Sequence, residues 1–186
     1  MHESERDLRW IPEVQRIVHE NPWFSVLHQS VRRPDGRASS YFTIHHATPA
    51  VGIVARRADR ILLIRQHRFI VDEFVWAIPS GGVDPSETLQ QAAERELMEE
   101  AGMRAAKLTH LLYYYPSYGC SDQRFELFLA DEVVEAGNAQ EDGEVIGSKW
   151  FSREELIHLI GTNGVVDGLS LVPLLYILFG LTPRNG

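Results

Sequence analysis

Between Gly81 and Met103 the chain reads GGVDPSETLQQAAERELMEEAGM, a run of good helix formers that also carries Asp84, Glu87, Glu94, Glu96, Glu99 and Glu100. Its periodic part, from about Thr88 to Ala101, predicts a helix. Asp84, Pro85 and Glu87 read as an N-cap, a proline at the first helical position and an acid at the third. Gly102 stands where a helix ends in a left-handed residue. On this helix Glu96 and Glu100 lie one turn apart, with Cβ atoms roughly 5–6 Å from each other. Glu99 flanks them, and Leu89, Ala92, Ala93 and Leu97 supply the buried side. Like charges at such spacing destabilise a bare helix by about 0.2–0.5 kcal/mol per pair, so the pattern calls for an offset. A hard divalent cation is one answer, because magnesium is held by a few carboxylates together with substrate phosphates. A solvated acidic face is the plainer alternative. The preceding Ile78-Pro79-Ser80-Gly81-Gly82 favours the first, since it brings backbone N–H groups, which attract phosphate, to the helix start.

The spacing G-x5-E-x7-R-E-U-x-E-E-x-G-U, with U a bulky aliphatic residue, is met in full by Gly81, Glu87, Arg95, Glu96, Leu97, Glu99, Glu100, Gly102 and Met103. In this the chain resembles the Nudix hydrolases. The resemblance implies an α/β (α+β) fold, an α/β/α sandwich around a mixed sheet, and cleavage of a nucleoside diphosphate linked to another group X. It implies Mg²⁺, with Mn²⁺ as a substitute, held by Glu96, Glu100 and the backbone carbonyl of Ser80, with Glu99 assisting or acting as the base. Gly81, Glu87, Arg95 and Gly102 then brace the junction of loop and helix.

A length of 186 residues suits one sizeable core. A formal net charge of -8 argues against a non-specific grip on nucleic acid and for cations mediating any phosphate binding. The single cysteine, Cys120, excludes an internal disulfide and suits a reducing compartment. The charged N-terminus lacks a secretory core, and the apolar stretch Leu169 to Leu181 is too short to span a bilayer and contains Pro173. A cytoplasmic protein without membrane contact is therefore expected. The scattered histidines form no H-x3-H group, so a zinc site is not expected.

Residues 1 to 21 read as a ragged start. Pro22 to His46 reads as two strands around the turn RRPDGRA. This hairpin resembles the N-terminal layer of the ADP-ribose pyrophosphatase branch, which implies exchange with a second subunit, hence a homodimer, and a share in the substrate pocket. The organisation expected is a hairpin extension over 1–47 and a Nudix domain over 48–186. Ala50 to Arg56 and Ile61 to Gln66 are almost continuously apolar and read as buried strands. Arg65-Gln66-His67-Arg68 matches the branch's R-Q-x-R, which implies that Arg68 reaches substrate phosphate or ribose; a surface charge cluster is the alternative. Ala77 stands where related hydrolases often have glutamate, and it has no side chain able to ligate.

Leu108 to Tyr115 and Arg124 to Asp131 read as strands. The loop between them keeps Ser117, Gly119, Ser121 and Asp122 of the branch's S-P-G-x-S-D-E, with Tyr118 in place of proline and Gln123 in place of glutamate. Tyr118 is a candidate for stacking on a base or sugar. The acidic loop 135–144 matches the branch's E-x-E best at Asp142-Gly143-Glu144, implying Glu144 near the metal and Asp142 or Glu141 as the base. Val145 to Phe151 is the last strand, Ser152 to Glu155 a capping box, and a final helix runs from Asp167 to about Phe179.

The N-terminal hairpin, R-Q-x-R and G-x-S-D together point to ADP-ribose, hydrolysed to AMP and ribose 5-phosphate. Ala77, Tyr118 and Gln123 keep a nucleotide sugar, GDP-mannose or a UDP-sugar, as the alternative. A ligand sensor without turnover is the alternative of another class, and the intact box speaks against it.

Overall fold

The computed structural model describes residues 8–137 and 145–181. It divides into two compact units, Met1–Ala47 with Ser117–Gln123, and Thr48–Pro116 with Arg124–Gly186.

The first unit is an antiparallel sheet of β1 (Ile11–Glu20), β2 (Ser25–Arg32) and β3 (Ala38–His45) in that order. Strand β1 corrects the expected ragged start, and the expected hairpin is a three-stranded layer. Every residue of β1 is exposed, so it carries no buried stripe for a sequence pattern to reveal. Asn21 makes the first turn by accepting from the N–H groups of Trp23 and Phe24, each at 2.9 Å. Gly36, at φ 80°, closes the second. Loop 117–123 joins the free side of β3 through a bridge between Ile44 and Ser121. The Ile44 N–H donates to Cys120 O at 2.8 Å, and the Asp122 N–H to Ile44 O at 3.2 Å.

The second unit is built on a mixed sheet. Its path is β12 (Val145–Phe151), β5 (Arg60–Arg68), β4 (Ala50–Arg57), β10 (Phe125–Asp131) and β9 (Lys107–Tyr114). Short strands β6 (Glu73–Ala77) and β7 (Ser80–Gly82) pair with β5 and β4. The β4–β10 pair is parallel and the other pairs are antiparallel. Beside this sheet, β8 (Met103–Arg104) pairs with β11 (Val134–Glu135).

Both faces of β4 and β5 are buried, because helices cover both sides of the sheet. On one face Val51, Ile53, Phe128 and Ala130 meet Ala92, Ala93 and Leu97 of α1 (Leu89–Ala101). On the other, Leu63, Leu127 and Leu129 meet Leu156 of α2 (Arg153–Gly161) and Leu174 and Leu178 of α3 (Gly168–Leu178). The unit is thus the expected α/β/α sandwich. Among the described residues no helix is long and apolar enough to cross a membrane.

Helix α1 begins later than the Asp84 cap predicts. Thr88 is its N-cap, with a reciprocal capping box to Gln91, while Asp84 caps a turn by accepting from the Ser86 N–H at 2.8 Å. Gly102 ends the helix at φ 64°, its N–H donating to Met98 O at 2.9 Å.

Candidate active site

The acidic face of α1 lies against β7. Glu96 and Glu100, on successive turns, are 6% and 2% exposed. The Ser80 N–H donates to Glu100 Oε2 at 2.6 Å and so fixes that carboxylate. At the next residue the backbone closes in further: a Cβ on Gly81 would overlap the Glu96 carboxylate. The constraint at Gly81 is the nearness of that carboxylate, not a positive φ.

Arg95 ties the acids together. Its Nε donates to Glu87 Oε1 at 2.7 Å, and its Nη1 to Glu96 Oε1 at 2.7 Å and Glu99 Oε2 at 2.9 Å. Its Nη2 donates to Gly82 O at 3.0 Å, which fastens the loop to the helix. The hydrogen bond from Arg95 holds the Glu87 carboxyl below the usual glutamate range, against the opposing effect of burial. The same contacts, led by Glu87, push Arg95 upward, so it stays charged. One guanidinium bonds three carboxylates: Glu87, Glu96 and Glu99.

Among the described residues no three His, Cys, Asp or Glu side chains converge as a ready-made cation cage. The donor set nevertheless fits magnesium, which uses one or two carboxylates with water and substrate phosphate in place of an all-protein cage. Two buried carboxylates beside the Ser80–Gly82 backbone meet that need, and a divalent cation held there would add to the bonds from Ser80 and Arg95 in offsetting their burial.

Arg68 ends β5, exposed, opposite Glu73 in register. Ala77 is buried in β6. Glu141, Asp142 and Glu144 lie outside the described residues. Tyr118, 87% exposed, is in the N-terminal unit, where it lines a cavity of about 380 Å³ together with Gln29, Thr43, His45, Ser121 and Asp122. There His45 Nδ1 lies 2.5 Å from Asp122 Oδ2, and the His46 N–H donates to Asp122 Oδ1 at 2.9 Å. Burial raises the Asp122 carboxyl, but these hydrogen bonds outweigh it and leave it below the usual range.

Sequence reading missed a third buried acid in the sheet unit. Glu126 of β10 is 3% exposed, with His110 Nε2 2.6 Å from its Oε2 and Arg124 Nε 2.7 Å from its Oε1. The available signal was a lone glutamate in the apolar strand FELFLA.

Residues 46–167 match the NUDIX domain family, and residues 15–44 match the family described as the nucleoside diphosphate sugar hydrolase N-terminal domain. The chain is 30% identical over 171 residues to a CMP-5'-(N-acetyl-N-hydroxy-3-aminopropyl)phosphonate hydrolase of Streptomyces rubellomurinus, covering 92% of this chain and 83% of that protein. It is 26% identical over 151 residues to an ADP-ribose pyrophosphatase of Bacillus subtilis, covering 80% and 82%. The crystal structure of an ADP compounds hydrolase shares the fold, with a TM-score of 0.83, 20% identity, and coverage of 93% of this chain and 94% of that one. The chain therefore belongs to the NUDIX domain family, as a Nudix hydrolase resembling the ADP-ribose pyrophosphatase and nucleotide-sugar hydrolase branch.

Proposed function

We propose that this hydrolase cleaves the diphosphate bond of a nucleoside diphosphate linked to a second group, with ADP-ribose, giving AMP and ribose 5-phosphate, as its substrate. One observation carries the reading: two buried carboxylates, Glu96 and Glu100, stand one turn apart on α1 against the Ser80–Gly82 backbone. Similarity to an ADP-ribose pyrophosphatase supports the choice of substrate. A nucleotide sugar, GDP-mannose or a UDP-sugar, is the second reading, favoured by the N-terminal match to nucleoside diphosphate sugar hydrolases.

In this mechanism Glu96, Glu100 and the Ser80 carbonyl, with Glu144, would hold Mg²⁺, with Mn²⁺ as a substitute. When bound, the ion neutralises diphosphate charge and acidifies water. Ser80 N–H orients Glu100, and Arg95 orients Glu96 and Glu99. Water attacks one phosphorus in line; the new P–O bond forms as the bridging P–O bond breaks, and the proton passes to a carboxylate. That acceptor is Glu99, or Asp142 or Glu141 of the loop. Arg68 and Tyr118 contact substrate, and Gly81, Glu87, Arg95 and Gly102 keep loop and helix together. A homodimer formed through the N-terminal layer is part of the proposal, supported by the exposure of Ile11, Val14 and Ile17 on β1.

The test is product release from ADP-ribose, GDP-mannose and UDP-glucose, read with a coupled phosphatase, in Mg²⁺, in Mn²⁺ and after chelation. Turnover of ADP-ribose that chelation abolishes is expected. Binding without products from any of them overturns the reading, and preference for a sugar nucleotide selects the second one.

A further inference from the structure

The buried acid Glu126 has no part in the mechanism above, yet the sheet register brings it to the catalytic face. Gly81 of β7 is paired with Val51 of β4, Val51 with Glu126 of β10, and Glu126 with Tyr113 of β9. Residues paired in this way project to the same side of a sheet. A Cβ on Gly81 points at Glu96, and Val51 joins the core beneath α1, as does Phe128, two residues along from Glu126. Glu126 is therefore on the face that carries Glu96, two strand spacings or about 10 Å from Gly81.

The bonds made by Glu126 hold two partly exposed groups on this face. The His110 and Arg124 side chains are 43% and 42% exposed, while that of Glu126 is 4% exposed. Arg124 is held through Nε, and its guanidinium also lies over the ring of the exposed Tyr113, 5.6 Å from the centroid. His110 is steadied by an edge contact with Phe128. A buried ion pair adds little stability compared with apolar side chains of the same volume, so a stable core alone does not account for an acid at this position. What the acid achieves is a guanidinium fixed in direction, whose forked donors match pairs of phosphate oxygens.

Resting on the diphosphate reading of the site, we infer that Arg124, aimed by Glu126 and by the Tyr113 ring, binds phosphate oxygens of the nucleoside diphosphate substrate. Arg124 is then a binding residue, and Glu126 a positioning residue that acts through it.

The experiment compares wild type with Arg124→Ala, Arg124→Lys and Glu126→Gln. It measures kcat and KM with Mg²⁺, and calorimetric binding of ADP-ribose and UDP-glucose in EDTA, where turnover is stopped. Arg124→Ala is expected to raise KM and Kd at least 10-fold and to lower kcat less than threefold, with Arg124→Lys recovering part of the loss. Glu126→Gln is expected to move KM in the same direction by a smaller factor. Wild-type KM and Kd in a folded Arg124→Ala protein overturn the inference. A fall in Tm for Glu126→Gln with KM unchanged overturns the positioning role. If wild type turns over no diphosphate while Arg124→Ala still weakens binding, the function fails and the inference stands. If wild type binds neither compound in EDTA and turns over neither in Mg²⁺, both fail.

Discussion

The Glu96 carboxylate fills the space that a side chain on Gly81 would need. Glu96 is also bonded to Arg95, so it cannot swing aside without giving up that contact. Gly81→Ala is expected to lower kcat at least 10-fold by displacing the carboxylate, while the sheet stays folded. Steady-state kinetics with circular dichroism check this, and full activity would show that the close approach is dispensable.

Glu100 offers a cleaner separation of fold from chemistry. In Glu100→Gln the amide oxygen still accepts from the Ser80 N–H, so the loop keeps its anchor, but a charged donor is lost. We expect kcat to fall by about 100-fold or more, with Tm near wild type and Mn²⁺ affinity weakened by about 10–100-fold. Retention of wild-type turnover in magnesium excludes Glu100 as a metal donor.

The Glu87–Arg95 pair predicts a pH dependence of known sign. The folded-state value of Glu87 lies below its ordinary 4.5, because Arg95 stabilises the charged form. Such a carboxylate contributes stability above its unfolded value and loses it as pH falls through the depressed folded value. Glu87→Gln is therefore expected to be less stable than wild type at neutral pH, and the gap to close below about pH 4. Urea unfolding across that range measures it; a gap that widens in acid would reverse the assignment.

Leu97 is 1% exposed and, with Ala92 and Ala93, seats α1 on the sheet. Leu97→Ala is expected to destabilise the protein by about 2–5 kcal/mol through lost burial and a residual cavity. Chemical denaturation gives the value, and a loss under about 1 kcal/mol would mean that the helix is held chiefly by its polar contacts.

What the sequence made legible follows from how local each signal is. Strands β4 and β5 are apolar runs bounded by the Ala58-Asp59 turn, so their burial on both faces was readable. The acids of α1 fall within a few residues of one another, and their shared face follows from helical periodicity alone. The helix start was misread because Asp84-Pro85-Ser86-Glu87 and Thr88-Leu89-Gln90-Gln91 both satisfy the capping pattern, and only backbone geometry chooses between them. Strand β1 was missed because its pairing buries none of its residues. The Glu126 cluster was out of reach for another reason. His110 and Glu126 are 16 residues apart, and a register shift between Leu127 and Phe128 decides which residues of β9 and β10 lie opposite each other.

The parallel pairing of β4 with β10 bears on how the molecule comes into being. Ala50 meets Phe125, and the same strand end carries Gly81 and Gly82, so the chain must close long loops before the acidic helix has a floor. Contacts so distant along the chain slow folding, and a nascent polypeptide has to extend past β10 before β4 gains its parallel neighbour. Hydrolytic competence is therefore expected late in biogenesis, and shortened translation products that stop before β10 are expected to be inert toward the cell's nucleotide pool.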